Sequence, residues 1–417
     1  MSGRIRAVSG PAATLEAGVP TVGTAGREWS LAEMNVQRAA GRAVAALAAP
    51  LMLAGVVAGL GPAAASAATC QAWTGVQQPP SPGNGNNDLS GVTVVTPCNA
   101  WAVGTDINNG QAQTLIEHWN GASWTVVPSP DPGDRGNSLF GVRALAANDM
   151  WAVGSSTDSN TGTTTLILHW DGFGWSRVTS PSPQGLSQLA AVRTVSKNDV
   201  WAVGTTNFGK ITTLIEHWDG TQWSVVPSPS PGIDAELSGV TATSASDAWA
   251  VGQFTPAGGN QTTLILHWNG TAWQQVDSSI PTTTFSSLGA VAATSATNAW
   301  AAGFTDGLQP VILHWNGTAW QQSPTPPLSS GTGQVAGVTA SSTTNAWAVG
   351  STFDGFSHRN LVLHWDGSAW TRVSSPDFTG SDFLGPVAAT SNGGFWTAGA
   401  SNADGPDPEQ AIAIHCC

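Results

Sequence analysis

The stretch L-S-G-V-T-A-T-S-A-S-D-A-W-A-V-G-Q-F-T-P-A-G-G-N-Q-T-T-L-I-L-H-W-N-G-T-A-W-Q-Q-V (Leu237–Val276) contains four short runs rich in Val, Thr, Ile, Leu and Trp. The residues between these runs are mainly Ser, Asp, Asn, Gly and Pro. β-Branched and aromatic residues favour strands, and the separating residues favour turns. The stretch therefore predicts four consecutive β-strands.

Three landmarks of this stretch recur along the chain with a period of roughly 50 residues, which is typical of propellers and solenoids. The first is W-A-V-G or a close variant, and it begins at Trp101, Trp151, Trp201, Trp249, Trp300, Trp347 and Trp396. The second is a His-Trp pair at His118, His169, His217, His267, His314 and His364, with His415-Cys416 as the seventh. The third is a tryptophan five residues after each His-Trp tryptophan: Trp124, Trp175, Trp223, Trp273, Trp320 and Trp370. One such unit cannot bury its own apolar face, so neighbouring units must stack.

Seven repeats of four strands predict an all-β fold, a seven-bladed β-propeller with four-stranded antiparallel blades. The chain ends favour a closed ring over a solenoid. The segment around Trp73 matches a fourth strand that lacks its first three, and the seventh repeat stops at Cys417, where its fourth strand should begin. Joining Cys417 to Cys70 would place Trp73 five residues after Cys416, the spacing seen in the other repeats. We expect the N-terminal strand to complete the last blade and close the ring.

Turn signals separate the strands within each repeat. Asn-Gly or Asp-Gly lies between the third and fourth strands, beginning at Asn120, Asp171, Asp219, Asn269, Asn316 and Asp366. This dipeptide predicts a two-residue type I′ turn, in which both residues have positive φ. Pro-Ser-Pro segments such as Pro128–Pro130 follow the fourth strand, and proline cannot donate to a ladder, so each blade should end there.

Residues 1–67 have the three parts of a secretory signal peptide. Arg38 and Arg42 precede the apolar run Ala43–Leu60, and the small residues Ala65-Ser66-Ala67 form an A-x-A cleavage site. We expect residues 1–67 to be an N-terminal extension with a signal peptide, and 68–417 to be the propeller. Met34 is an alternative start of translation, and a retained membrane anchor is the alternative to cleavage.

All four cysteines lie near the expected seam of the ring: Cys70, Cys98, Cys416 and Cys417. An exported chain with an even number of cysteines favours disulfides over free thiols. We expect two bonds, with Cys70 joined to Cys416 or Cys417 and Cys98 joined to the other. The spacing leaves the choice between these pairings open.

The chain is acidic, with a net charge of −13, and removal of residues 1–67 leaves 8 basic and 23 acidic residues. An acidic surface repels nucleic acid and anionic lipid, so these partners are set aside. The few basic residues look scattered along the chain. We expect a secreted monomer that has no cofactor, no metal and no membrane span in its mature form.

The connections between strands two and three vary most in length, and antiparallel blades place them on one face of the ring. Binding residues commonly occupy variable loops on a rigid scaffold. The candidates in these loops are polar or charged: Asp106, Asn108, Asp158, Asn160, Lys210, Asp306, Asp354, His358, Arg359, Asp404 and Asp407.

The repeated histidines and tryptophans are interpreted as structural. Equivalent histidines on different blades cannot converge on one zinc ion, so each imidazole should hydrogen-bond a neighbouring strand or blade. The tryptophans should pack between blades. The alternative is a lectin in which the fourth-strand indoles Trp124, Trp175, Trp223, Trp273, Trp320 and Trp370 are exposed and stack on sugar rings, with avidity from several equivalent sites.

The mature chain lacks the serine-hydrolase, zinc-protease, P-loop and dinucleotide-binding signatures. Glu117 and Glu216 occupy a strand position that is leucine in four other repeats, and we interpret them as tolerated surface substitutions. No catalytic residue is assigned.

The W-A-V-G and H-W-D/N-G-x-x-W pattern resembles repeats of secreted bacterial propellers related to kelch and sialidase-type proteins. W-D-G-S-A-W at Trp365–Trp370 is similar to the aspartate-box hairpin of sialidases, which is a structural device. The resemblance implies a propeller fold. It does not carry over the chemistry of sialidases or kelch-type copper oxidases, because both use tyrosine and this chain has none.

These observations predict a secreted, non-enzymatic propeller that binds an extracellular polysaccharide or protein through its loop-rich face. One alternative is a glycan-processing enzyme with acids in the variable loops, since glycosidases need two carboxylates across the scissile bond. Another is a structural or adhesion protein of the cell envelope.

Overall fold

A computed structural model describes residues 73–183, 185–328, 331–376, 381–402 and 409–416. These residues form seven four-stranded antiparallel sheets and contain no helix. The predicted seven-bladed β-propeller is confirmed.

In blades one to six the four strands are hydrogen-bonded in chain order. Blade one consists of β2 (Asn87–Thr96), β3 (Asn99–Asn108), β4 (Gln111–Trp119) and β5 (Trp124–Val126). Blade two consists of β6 (Gly136–Ala146), β7 (Asp149–Asp158), β8 (Gly162–Trp170) and β9 (Trp175–Arg177). Blade three consists of β10 (Leu186–Ser196), β11 (Asp199–Asn207), β12 (Ile211–Trp218) and β13 (Trp223–Val225). Blade four consists of β14 (Asp234–Ser244), β15 (Asp247–Thr255), β16 (Thr262–Trp268) and β17 (Trp273–Gln275). Blade five consists of β18 (Ser286–Ser295), β19 (Asn298–Thr305), β20 (Gln309–Trp315) and β21 (Trp320–Ser323). Blade six consists of β22 (Thr332–Ser342), β23 (Asn345–Phe353), β24 (His358–Trp365) and β25 (Trp370–Arg372).

The seventh blade joins the two ends of the described chain. Its strands are β26 (Ser381–Ala389), β27 (Phe395–Asn402), β28 (Gln410–Cys416) and β1 (Trp73–Gln77). Trp73 pairs with Cys416, just as Trp124 pairs with Trp119 in blade one. The N-terminal strand therefore completes the last blade, as predicted from the chain ends.

The glycine of W-A-V-G is required by a close approach between the first two strands. The first strand of blade four has a register shift between Leu237 and Gly239. A Cβ atom on Gly252 would lie 2.0 Å from the carbonyl oxygen of Glu236, far inside van der Waals contact. Gly104, Gly154, Gly204, Gly303, Gly350 and Gly399 face the same kind of approach. Glycine recurs in this motif because the backbone of the first strand leaves no room for a Cβ atom.

The turn between strands three and four differs from the predicted two-residue type I′ turn. Trp268 pairs with Trp273 across a four-residue loop, and of the Asn269-Gly270 pair only the glycine has positive φ, at 90°. Asn269 Oδ1 accepts hydrogen bonds from the backbone N–H groups of Thr271 at 2.9 Å and of Ala272 at 3.0 Å. Asparagine or aspartate is therefore needed here for its side-chain acceptor.

A belt of tryptophans joins consecutive blades. Trp249 of blade four lies 4.2 Å from the ring of His267 in its own blade, in a stacked arrangement. On its other side it contacts Trp315 at 4.8 Å and the edge of Trp320 at 5.1 Å, both in blade five. The same set recurs at Trp101, Trp151, Trp201 and Trp300. The repeat landmarks thus meet at the interfaces between blades.

Candidate functional site

Connections between strands two and three lie on the same side of the ring as the links between blades, and we call this side the loop face. The link into blade four, for example, donates from Ile233 N–H to the carbonyl oxygen of Thr255, the last residue of β15, at 2.8 Å. At the start of blade six, Gly333 N–H in β22 donates to the carbonyl oxygen of Leu308, in the loop between β19 and β20, at 2.6 Å. The other side carries the turns between strands one and two and between strands three and four, and we call it the turn face.

Four of the predicted binding residues lie where the strands of blades one and two reach the loop face. Asp106 is buried and accepts a hydrogen bond from Gly83 N–H at 2.8 Å, and burial raises the pKa of its carboxyl group. Asp158 accepts the N–H of Asn160 at 2.8 Å. Asn108 is the half-buried last residue of β3. Both aspartates are engaged in local structure, and ligand binding by the four residues stays a prediction.

Three further candidates lie in the loops of blades three, five and six. Lys210 is exposed at the turn between β11 and β12. Asp306 accepts a backbone N–H from the link into blade five at 3.0 Å. Asp354 accepts the N–H groups of Ser357 and Phe356, and these two hydrogen bonds lower the pKa of its carboxyl group. All three residues are exposed.

His358 and Arg359 begin the third strand of blade six. The imidazole of His358 lies between two aromatic rings, 4.8 Å from Phe353 and 4.4 Å from Phe383 of the next blade. The charge of Arg359 contributes to the lowered pKa of Asp354 in the same loop. His358 therefore has a packing role between blades, and Arg359 is paired electrostatically with its own loop.

Among the predicted residues that the structure describes, the interactions found lie within single loops, as between Asp354 and Arg359 and between Asp158 and Asn160. Within the described ranges, no group of three or more His, Cys, Asp and Glu residues is arranged to hold a metal ion. Asp404 and Asp407 lie outside the described residues.

An exposed apolar cluster crosses blades three and four on the loop face, and the sequence analysis did not identify it. Leu186, Phe208 and Ile233 are 56%, 76% and 51% exposed. Leu186 pairs with the residue before Phe208, and Ile211 N–H donates to Asp234 Oδ1 at 3.1 Å, which joins the two blades. We call Leu186, Phe208 and Ile233 the blade 3–4 patch. Its sequence signal is an aromatic residue inside an otherwise polar loop.

Two carboxyl groups meet at the loop face beside the seam between blades seven and one. Burial, and then the charge of Asp88, raise the pKa of Glu409 to about 7. Burial also raises the pKa of Asp88, although its side chain accepts a hydrogen bond from Ser90 Oγ at 2.6 Å. The backbone joins the two residues, because Asn87 N–H donates to Glu409 O at 3.1 Å. We call Asp88 and Glu409 the seam acids.

Two arginines that looked scattered in the sequence lie side by side around the centre of the ring. Arg143 and Arg193 occupy the same register position in blades two and three, opposite Trp151 and Trp201. Both line the cavity bounded by the innermost strands. The interpretation of the basic residues as scattered is therefore wrong for this pair, since the repeat places equivalent residues next to each other.

The six repeat histidines from His118 to His364 have structural partners, as predicted. His267 Nε2 lies 2.8 Å from Asp247 Oδ1 on the neighbouring strand, and His314 Nε2 lies 2.8 Å from Asn298 Oδ1. The equivalent contact is present at His118, His169, His217 and His364. Burial lowers the pKa of His314, which favours a neutral imidazole.

The burial of the fourth-strand tryptophans overturns the lectin alternative in the form predicted. These six indoles are only 2–7% exposed: Trp124, Trp175, Trp223, Trp273, Trp320 and Trp370. Their Nε1 atoms are buried and make no hydrogen bond in the described part of the chain. Their rings pack on the belt, so they are not available to stack on sugars.

Glu117 and Glu216 are also placed differently from the prediction, because neither lies on the surface. Both are 0% exposed, and all four of their carboxyl oxygens are buried without a hydrogen-bond partner in the described residues. Burial raises the pKa of each to about 8. Third strands are covered on both faces by neighbouring blades, which is why the surface interpretation fails.

Cys98 lies exposed in the two-residue turn between β2 and β3. The preceding residue, Pro97, accepts a hydrogen bond from the indole of Trp396 in blade seven at 3.4 Å, so this turn borders the seam as expected. Cys70 and Cys417 lie outside the described residues, and the two disulfides stay predictions.

No known family profile matches the sequence, and no curated protein matches it. Similar solved structures include YCF48 bound to a D1 peptide, with a TM-score of 0.52 at 13% identity over 82% of this chain and 96% of that one. The WD40 β-propeller domain of Doa1 has a TM-score of 0.52 at 13% identity, covering 82% and 97%. A chain of the mitotic checkpoint complex has a TM-score of 0.53 at 11% identity, covering 88% and 99%. At these identities the likeness concerns the fold alone, and the chain is a seven-bladed β-propeller.

Proposed function

We propose that the protein is an exported, non-enzymatic binding protein whose loop face recognises an extracellular polypeptide. The observation that carries this proposal is the blade 3–4 patch, where three large apolar side chains are more than half exposed. Contiguous exposed apolar side chains on a soluble protein mark interaction sites. Phe285 and Phe356 are two further exposed apolar side chains on the loop face, in blades five and six.

The composition of the patch favours a polypeptide over a glycan. Leu186 and Ile233 are aliphatic and lack the flat ring on which a sugar stacks, whereas apolar side chains of a partner pack well against them. The exposed Lys210 lies two residues from Phe208 and would supply a charged rim. The indoles that could have served as sugar platforms in the fourth strands are buried.

Export rests on the signal-peptide pattern of residues 1–67, which lie outside the described residues. The acidic composition of the remaining chain suits an extracellular protein that must stay dissolved. Among the described residues there is no helix that is both long and apolar enough to cross a membrane.

The proposal is tested by selecting binders from a displayed library of random peptides and measuring their affinity for the purified protein and its variants. We expect Phe208→Ser and Leu186→Ser each to weaken binding at least tenfold, since central apolar anchors contribute about 2 kcal/mol or more. Phe173→Ser is the matched control, because Phe173 is 94% exposed but lies in a loop on the turn face. Peptides whose affinity is unchanged by both patch variants, or a glycan array that gives binding where the library gives none, would contradict a polypeptide site.

The seam acids are the one observation that favours a second function, glycan processing. A carboxyl group with a pKa near 7 can remain protonated to act as a general acid, while a neighbouring carboxylate serves as base or nucleophile. If the seam acids are catalytic, Glu409→Gln and Asp88→Asn should each abolish release of reducing ends from a polysaccharide panel. Asp306→Asn, a loop acid away from the seam, should leave that release intact. Absence of any release by the unmodified protein would count against this function.

A further inference from the structure

The innermost strands of all seven blades enclose a central cavity of about 350 Å³. Its walls are mostly Val and Ala, with a few Thr and Ser hydroxyl groups. Ser341, Thr390 and Ser391 belong to its rim and lie at or beside turns between first and second strands. The cavity therefore reaches the turn face, opposite the loop face that carries the proposed polypeptide site.

Arg143 and Arg193 are the only charged side chains among the residues that line this cavity. Each sits at the first-strand position opposite the W-A-V-G tryptophan. The other blades carry small uncharged residues there: Thr93, Thr241, Ala292, Thr339 and Ala388. Two adjacent blades thus depart from the repeat in the same way, by placing a guanidinium beside the cavity.

The two guanidinium groups have unused hydrogen-bond donors. Arg193 Nη2 donates to Ala242 O at 3.1 Å, but its Nε is buried without a partner. No hydrogen bond or ion pair of the Arg143 side chain occurs in the described residues. A guanidinium carries five N–H donors, so most of the donors of this pair are free. Burial, and then the charge of Arg143, lower the pKa of Arg193 to about 9, and burial also lowers the pKa of Arg143. Guanidinium groups are not deprotonated in proteins, so both arginines carry a positive charge.

A purely structural role does not explain the charge. Threonine at the same position already joins neighbouring blades, since Thr93 Oγ1 accepts Ala144 N–H at 3.1 Å and Thr339 Oγ1 accepts Ala389 N–H at 3.2 Å. A neutral, short side chain therefore suffices for that link. Two unpaired like charges beside a cavity repel each other, and an anion between them would remove the repulsion.

We propose that the central cavity binds a small oxyanion, the carboxylate or phosphate ester of a molecule of about monosaccharide size, between Arg143 and Arg193. The planar guanidinium fork matches both carboxylate and phosphate oxygens. Thr241 and Thr339 also line the cavity, and threonine hydroxyl groups are suitable hydrogen-bond partners for the neutral part of the ligand. The volume is that of a small-molecule site. This site lies beyond the polypeptide function proposed for the loop face and is independent of it.

The test is calorimetric titration of the purified protein with glucuronate, glucose 6-phosphate and inorganic phosphate, with glucose and chloride at equal ionic strength as reference ligands. Arg143→Thr and Arg193→Thr copy the residue that blades one, four and six already use, so these variants should fold. We expect saturable binding of at least one oxyanion, a tenfold or greater loss in each single variant and no binding in the double variant.

Arg177→Thr is the matched control, because Arg177 is exposed on an outer strand, and it should bind as the unmodified protein does. Binding of glucuronate alone would assign a carboxylate ligand, and binding of the phosphates alone would assign a phosphate ester. No oxyanion binding above chloride, or full binding by a folded double variant, would overturn the proposal.

Discussion

Replacing Glu216 with leucine is expected to stabilise the protein at pH 8 by roughly 3–5 kcal/mol, with a much smaller gain at pH 4. Burial raises the pKa of Glu216 from an ordinary 4.5 to about 8 in the folded chain. A group with a raised folded pKa contributes stability that is fully present below its unfolded pKa and is lost as pH rises through the folded pKa. The loss amounts to about 1.4 kcal/mol per pH unit between these limits.

The measurement is urea unfolding at pH 4, 6 and 8 for the unmodified protein and for Glu216→Leu and Glu117→Leu. Leucine at this position is native to four blades, as at Leu168 and Leu266. Leu266→Glu should create the same pH-dependent loss in blade four. A pH profile that does not change in the leucine variants would refute the burial of these carboxyl groups.

The gain should be smaller for Glu117. Glu216 lies on the same strand face as Leu214, which packs with Val153 and Ile167 of the preceding blade. Leu115, on the same face as Glu117, packs with Ala398 and Ala413 instead. Leucine in place of Glu117 would have these smaller side chains as neighbours and would therefore gain fewer van der Waals contacts than leucine in place of Glu216.

Replacing Trp249 with alanine is expected to destabilise the protein by about 3–5 kcal/mol, the usual cost of truncating a buried large aromatic residue. The substitution removes the ring contacts to His267, Trp315 and Trp320 and so weakens the interface between blades four and five. Chemical unfolding followed by far-UV circular dichroism would measure the loss. It should appear as a lower unfolding midpoint.

Phe173→Ala is the control for this substitution. Phe173 is 94% exposed, so its removal should change the free energy of unfolding by no more than about 0.5 kcal/mol. Equal effects of the two substitutions would contradict the account of the belt as the contact that holds the blades together.

The fold was predictable because the residues that each blade requires recur at the same positions in seven repeats. The W-A-V-G motif contains both the glycine at the close approach of the first two strands and the tryptophan of the belt. The incomplete first and last repeats indicate how the ring closes. The conformation of the third turn was not predictable from its dipeptide, because Asn269 acts through its side-chain oxygen and not through its own backbone conformation.

The candidate sites were less predictable, because sequence alternation does not show what covers each strand face. In an open sheet, a polar residue among apolar ones usually lies on the surface. Both faces of a propeller's third strand are buried, so the prediction that Glu117 lies on the surface was wrong. Arg143 and Arg193 are separated by one repeat in sequence yet adjacent in space. For both pairs, Glu117 with Glu216 and Arg143 with Arg193, the sequence signal was a charged residue at a position where the other repeats have an uncharged one.

The polar residues selected in the loops show a second limit of prediction from sequence. Asp106 and Asp354 were chosen because they are acidic and lie in variable loops, but both accept backbone hydrogen bonds that shape those loops. Phe208 and Leu186 were not among the candidates, because only polar and charged residues were selected. Only side-chain exposure distinguishes these two cases.

The central claim, that the loop face over blades three and four binds the partner, is tested most directly by hydroxyl-radical footprinting. The protein is oxidised alone and with a peptide recovered from the library selection, and modification rates are compared at Phe208, Leu186 and Phe173. The account predicts protection of Phe208 and Leu186 with an unchanged rate at Phe173. Protection of Phe173, with Phe208 and Leu186 reacting as in the free protein, would contradict it.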